Sequence, residues 1–299
     1  MNAKMMSVAC AMVLAAGGAS AQLASADQQD ALWGATANGF AQPTFHVTTD
    51  GPEGDTVLRS IEFPGGWNYN KFIFAREVTG FAHEGDADDT RVVLGPNATG
   101  VAGLAAGGAS GNWDRMDEGD AEAFEDALTQ VMRNTNLNNF IDNNGSSPYF
   151  EFVLELEKPL KDNDPELDEV GEIIFFERGA DTANSFLVME ALDTGGNVIG
   201  TPVLVHPDEP VSCTPAAHVG VYRSNLSYAG WSQEMGGVSV DLTRFGLSTV
   251  ERIRVRRARV GHDGLTGDMV AGGRDLNPDF KLVFVQTYDI SVPVWFLGD

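Results

Sequence analysis

Hydrophobic and polar residues alternate most regularly over Phe150-Glu-Phe-Val-Leu-Glu-Leu-Glu157. Phe150, Phe152, Leu154 and Leu156 fall on one side, and Glu151, Glu155 and Glu157 on the other. A period of two is that of a strand with one face in a core and the other in water. Continuous apolar runs occur at Ile173-Ile-Phe-Phe176 and from Phe186 to Leu192. Runs this short and this rich in β-formers predict buried strands. Between the second run and Val198-Ile-Gly-Thr-Pro-Val-Leu-Val205 lies Asp193-Thr-Gly-Gly-Asn197. Glycine and asparagine accept the positive φ of a tight turn, so the two segments should pair as a hairpin.

Further strands are expected at Phe45 to Thr49, Thr56 to Phe63, Lys71 to Arg76, Thr90 to Leu94 and Gly220 to Tyr222, and at Gly237 to Leu242, Glu251 to Val260 and Lys281 to Ile290. His83 to Asp89 and Gly95 to Asp120 read as loops, and Asn134 to Asn144 as an asparagine-rich exit. One segment has helical spacing: in Ala121 to Arg133, Phe124, Leu128, Val131 and Met132 make one apolar face, with Glu118, Asp120 and Glu122 at the end where a helix dipole favours anions. Many short strands with Gly/Asp turns and one helix predict an all-β, mainly antiparallel β-sandwich of jelly-roll type with one short interposed α-helix. Residues 22–299 are expected to form a single domain.

Several segments resemble exosortase-dependent bacterial surface proteins. They are Phe175-Phe-Glu-Arg-Gly179, Leu187 to Ala191, Leu192-Asp193 through Gly196-Asn197, Leu128 to Asp142, and Pro278-Asp-Phe-Lys-Leu282. The resemblance spans roughly residues 90 to 287. It implies a secreted protein held or processed at the cell envelope, with these motifs in structural roles. Members of that family end in a Pro-Glu-Pro motif, an apolar helix and a basic tail; the present sequence reads Val292-Pro-Val-Trp-Phe-Leu-Gly-Asp299 there.

The first residues have the three parts of a secretory signal: Lys4, the apolar stretch Met5 to Ala16, and Ala19-Ser-Ala21 as a small-x-small cleavage site. Cleavage is expected after Ala21, with Ala24-Ser-Ala26 as a second site. It removes Cys10 and leaves Cys213, in the Pro210 to Pro215 segment, as the one thiol, so neither an intramolecular disulfide nor a cysteine metal site is expected. No later segment is long and apolar enough to span a bilayer as a helix. The mature chain carries 18 basic and 43 acidic residues, a net charge of −25. Phosphate backbones and anionic membranes repel such a chain, which argues against nucleic-acid binding.

Carboxylates are so frequent that a pair of them carries little information. Glu155 and Glu157 share a strand face about 7 Å apart, a separation compatible with a glycosidase pair, but an exposed acidic strand supplies such pairs by default. Glu177 and Arg178 read as an ion pair closing a sandwich edge. Asp162-Asn-Asp164-Pro-Glu166-Leu-Asp168-Glu169 places oxygen donors at alternate positions, the donor type that Ca2+ takes, so Asp162, Asp164 and Asp168 are the candidate metal ligands. Asp142 to Gly145 and His83 to Asp89 are lesser acidic loops, and all three also read as solvated charge runs. His46, His83, His206, His218 and His262 never fall at metal-ligand spacing. No nucleophile elbow, phosphate loop or dinucleotide fingerprint occurs, and Gly103 to Gly111 reads as a flexible loop.

Trp67, Tyr69, Trp113, Tyr228 and Trp231 stand in polar segments where a ring could stack on a sugar, and Tyr228 and Trp231 are the candidate ligand-binding residues. Arg252, Arg254, Arg256, Arg257 and Arg259 gather on one strand, where cross-strand pairing with the glutamate strand is the plainest account. The sequence is therefore read as a secreted, non-catalytic cell-surface structural or adhesive protein without a cofactor. The alternative is a carbohydrate-binding β-sandwich module or glycoside hydrolase, with cell-envelope or extracellular polysaccharide as partner. Mass spectrometry of the exported protein should find Gln22 as its first residue; a mature form that keeps Met1 to Ala21 would refute the signal assignment.

Overall fold

The computed structural model describes residues 43–49, 56–63, 67–84, 90–93, 113–115, 121–143, 149–162, 170–178, 187–205, 217–223, 232–258 and 279–287. The elements in chain order are β1 (Thr44–Thr49), β2 (Thr56–Phe63), β3 (Trp67–Tyr69), β4 (Phe72–Ile73), β5 (Ala75–Glu84), β6 (Thr90–Val93) and β7 (Trp113–Arg115). Helix α1 (Ala121–Val131), β8 (Phe140–Asn143), β9 (Tyr149–Lys161), β10 (Ile173–Arg178), β11 (Leu187–Leu192) and β12 (Val198–Val205) follow. The last are β13 (Ala217–Arg223), β14 (Ser232–Val240), a 3-10 turn (Leu242–Phe245), β15 (Thr249–Arg257) and β16 (Phe280–Val285). The protein is an all-β, mainly antiparallel sandwich with one α-helix among the described residues.

Three sheets stack in layers. The central one has eight strands in the order β13-β14-β10-β16-β8-β6-β7, with β4 also paired to β16. A five-stranded sheet, β12-β11-β15-β9-β5, covers one face of it, and a three-stranded sheet, β1-β2-β3, covers the other. The continuous apolar runs follow from this position. In β10, Ile173 and Phe175 enter the core shared with the five-stranded sheet, while Ile174 and Phe176 enter the core under the three-stranded sheet. In β16, Phe280, Leu282 and Phe284 belong to the first core and Val283 and Val285 to the second. A strand between two cores has no face for water, so its sequence cannot alternate.

Strand β9 shows the opposite case. Phe150, Phe152, Leu154 and Leu156 are buried, while Glu151, Val153 and Glu155 lie half-exposed on the outer side. Phe280 stands among three rings of the larger core, with centroids 6.0 Å from Phe150, 6.4 Å from Phe152 and 5.8 Å from Phe175. The hairpin of β11 and β12 closes at the expected turn, where Gly196 has φ +83° and Asp193 Oδ1 accepts from Asn197 N at 2.8 Å.

Helix α1 seals an edge. Strand β5 is the last of the five-stranded sheet, so some of its backbone N–H groups have no strand partner. Thr129 Oγ1 accepts from Val78 N at 2.8 Å and Glu125 Oε1 from Phe81 N at 2.7 Å, while Arg133 Nε donates to the Ala75 carbonyl at 3.0 Å. Side chains of the helix and its exit thus occupy edge groups that would otherwise invite another strand.

Several expectations need correction. Lys71 to Arg76 is not one strand: the chain leaves β4, paired to β16 in the central sheet, passes Phe74, and enters β5, paired to β9 in the five-stranded sheet. Trp67 and Tyr69 lie in β3, not in a loop, and Tyr69 is buried. The segment Gly95 to Asp120 contains β7. Glu177 is buried near the end of β10, an inner strand paired with β14 and β16, and the Arg178 side chain expected to pair with it lies outside the described residues. Truncation of the central ring, Phe280→Ala, should lower unfolding free energy by about 3–5 kcal/mol, measured by chemical denaturation; a cost near that of a surface substitution would contradict this packing.

Candidate functional site

The outer face of the five-stranded sheet carries the densest array of paired charges among the described residues. On it β15 places Arg252 directly opposite Glu155 of β9, and Arg254 directly opposite Glu190 of β11. Glu155 is held from two sides, by Arg76 of β5 and by Arg252, whose Nε lies 3.3 Å from Oε1. Glu190 receives Arg254 and Arg256, the latter at 3.1 Å. The expected pairing of the arginine strand with the glutamate strand is therefore found at Arg252. Arg254 and Arg256 turn instead to Glu190, the single charge in the apolar run Leu187 to Leu192. That lone glutamate beside an arginine strand was the signal available in the sequence.

Glu155 is thus engaged by two arginines, while the side chain of Glu157 is exposed. Glu157 is engaged through its backbone, donating to the Phe74 carbonyl at 2.9 Å, and its Oε1 accepts from Phe74 N at 3.4 Å. The pair therefore braces the crossover between β4 and β5.

Of the candidate calcium ligands, Asp162 is half-buried at the end of β9, and its N–H donates to the Ser248 carbonyl at 3.0 Å. Asp164 and Asp168 lie outside the described residues, as do Tyr228 and Trp231, Cys213, His206, His262, Arg259 and the signal segment Met1 to Ala21. The side chains of Trp113, Arg178 and His218 are also outside them. Among the described residues no three His, Cys, Asp or Glu side chains are placed to hold a metal ion together. His46 is exposed and meets Glu62 Oε2 at 3.3 Å on the three-stranded sheet, and His83 stacks on Phe81. Trp67, 37% exposed, is the large hydrophobic residue left in water among the described residues.

The polar interior was not legible in the sequence. Within the asparagine-rich exit, Asn136, Asn138 and Asn139 are buried and form a network with half-buried Asn134. Asn134 Oδ1 accepts from Asn136 N at 2.9 Å, Asn136 Oδ1 from Asn138 N at 2.9 Å, and Asn138 Oδ1 from Thr56 N. Backbone bonds from Leu58 N to the Thr135 carbonyl and from Leu137 N to the Thr56 carbonyl tie the same segment to β2. Asparagine suits this role because its short carboxamide reaches the backbone two residues on.

Beside the network lies Lys281, wholly buried in β16, whose Nζ donates to the Val131 carbonyl at the end of α1 and to Asn134 Oδ1 at 3.2 Å. Burial alone pushes its ammonium pKa down to about 7. Glu172, just before β10, moves the other way: burial first, then the neighbouring Asp241 charge, hold its carboxyl well above the usual carboxylate range. Asp193 in the hairpin turn is held below its ordinary value, chiefly by the Asn197 amide.

The class that these features define is an antiparallel β-sandwich of two unequal cores with an ion-paired outer face. Compared with known proteins, the chain matches no family model, no curated protein and no solved structure. No helix among the described residues is long and apolar enough to cross a membrane.

The Lys281 geometry has a direct consequence for stability. The folded protein holds fewer protons than the unfolded chain between about pH 7 and the ordinary lysine value, so this group makes stability rise with pH across that window. Below it the cost of the buried charge is fully present. Lys281→Met should flatten that rise in denaturation curves taken at successive pH values; an unchanged slope would show that the amine stays charged in the fold.

Proposed function

We propose that this chain is a secreted, non-catalytic structural or adhesive protein of the bacterial cell surface. The observation that carries the reading is where the described apolar residues and carboxylates are spent. The large aromatic side chains fill two closed cores, and Trp67 alone among the described large hydrophobics is exposed. The acidic pair that could have served a hydrolase, Glu155 and Glu157, is bound to arginines and to the backbone of a strand crossover. The resemblance to exosortase-dependent surface proteins and the signal-like N-terminus support export. An edge strand sealed by a helix and a strongly negative surface both suit a protein that must stay folded and unaggregated outside the cell.

A carbohydrate-binding module is the second reading. It is favoured by exposed Trp67 at the end of the three-stranded sheet, with Asn68 and the His46–Glu62 pair also exposed on that sheet. One experiment separates the readings. Residues 22–299 are screened against immobilised polysaccharides and chromogenic glycosides, and intact cells are treated with an external protease. The lead reading expects release of the protein from intact cells and no glycoside turnover. Turnover abolished by Glu155→Gln would overturn it, and polysaccharide binding lost in Trp67→Ala would favour the module.

A further inference from the structure

At one end of the sandwich four chain segments meet around Glu172, which is 1% exposed. Its Oε2 accepts from Leu242 N, at the start of the 3-10 turn, at 3.2 Å. Its Oε1 lies 3.1 Å from Thr287 Oγ1, just after β16. The same hydroxyl oxygen lies 3.0 Å from the Lys161 carbonyl oxygen at the end of β9. A threonine hydroxyl carries one hydrogen, and a carbonyl oxygen can only accept. When Thr287 donates to Lys161, the contact with Glu172 has a hydrogen only if Glu172 supplies it. All three contacts are complete in one protonation state: Leu242 N–H donates to Oε2, the Glu172 carboxylic acid donates to Thr287 Oγ1, and Thr287 donates to the Lys161 carbonyl.

An ionised Glu172 would leave one of these contacts without a hydrogen, at a cost of about 1–3 kcal/mol for a buried group. The surroundings add to that cost. Asp241, between β14 and the 3-10 turn, and Asp162, at the end of β9, are the charged groups that act on Glu172, and both oppose a further negative charge. Burial acts in the same direction.

We propose that Glu172 is a proton-operated clasp: as a neutral acid it joins the end of β9 in the five-stranded sheet to the ends of β10 and β16 in the central sheet and to the 3-10 turn that leads from β14 to β15, and its ionisation opens that end of the sandwich. The clasp ties two layers through side-chain contacts at a place where no strand of one sheet pairs with a strand of the other. Taken by itself, the clasp holds that end of the sandwich more tightly in acidic than in alkaline surroundings.

The sign follows from proton counting. With the folded carboxyl raised above its unfolded value, the native state binds the extra proton between the two, so stability falls as pH rises through that window. This is opposite to the Lys281 effect, and the variants keep them apart. Glu172→Gln reproduces the neutral acid, because its amide can donate to Thr287 while its oxygen accepts from Leu242 N. Thr287→Val removes the relay without changing the shape.

The expected result is that wild type loses a few degrees of melting temperature relative to Glu172→Gln as pH is raised above the ordinary carboxylate range, and that Thr287→Val is less stable than wild type at the acidic end. Infrared spectra of wild type at a pH just above the ordinary carboxylate range should contain a protonated-carboxyl stretch that is missing from Glu172→Gln. Equal pH slopes in wild type and Glu172→Gln would overturn the clasp. So would the absence of that band, a measurement on wild type that stands even if a variant fails to fold. A melting-temperature gain from millimolar calcium over ionic-strength-matched sodium, lost in Glu172→Gln, would make Glu172 an ionised ligand and overturn it as well.

Discussion

The burial of both faces of β10 and β16 is the constraint on which the other layers depend. The two strands pair over Ile173 to Glu177 and Phe280 to Phe284, and successive side chains leave for opposite cores. A slip of one residue would exchange the contents of the two cores and send Phe176 and Phe280 to the wrong sides. Two unlike covers, one of five strands and one of three, therefore hold the central register from both sides. Gly237, opposite Phe176 on β14, belongs to the same fit: a Cβ there would stand 2.9 Å from the Phe176 and Phe45 rings.

A body of three layers buries chain ends that a two-layer sandwich leaves in water, and the polar interior answers that need. The end of α1 would bury bare carbonyls beneath the central sheet; Lys281 reaches the one at Val131. The start of β2 would bury the Thr56 N–H, which Asn138 accepts. The asparagines of Asn134 to Asn139 act here as parts of the backbone scaffold, because a buried N–H or C=O must find a partner within the protein. The buried titratable groups are then consequences of architecture, and their shifted protonation makes the fold sensitive to pH in two opposite senses.

On the outer face the charges are interleaved. The chain is strongly acidic, yet the five-stranded sheet alternates Arg76, Glu155 and Arg252, and brackets Glu190 with Arg254 and Arg256. On that face Val188, opposite Arg256 in the register, is wholly buried although it belongs to neither core. Each exposed pair contributes little alone, about 0.2–1 kcal/mol. Their joint effect is to remove like-charge contacts from the sheet in a chain that repels itself elsewhere.

How much of this was legible in the sequence differs by residue. Local periodicity determined that β9 has one wet face, that Ile173 to Phe176 is buried, that a helix starts at Ala121 (read to Arg133, and ending at Val131 in the structure), and that Asp193 to Asn197 turns a hairpin, because each of those depends on neighbours a few residues away. The class of fold followed from them. The break at Phe74, the central position of β10, the use of α1 as an edge seal, and the partners of Arg254 and Glu172 did not follow. Each is a pairing across 51 to 150 positions of chain, and no local pattern specifies which distant strand lies alongside. Asn134 to Asn139 is the clearest case. Its composition is that of a polar loop, and only the arrival of β2 and β16 turns the carboxamides of Asn134, Asn136 and Asn138 into acceptors for the backbone and for Lys281. The sequence determined which faces must be hidden; the tertiary structure decided what hides them, because burial is a property of partners brought together by the fold.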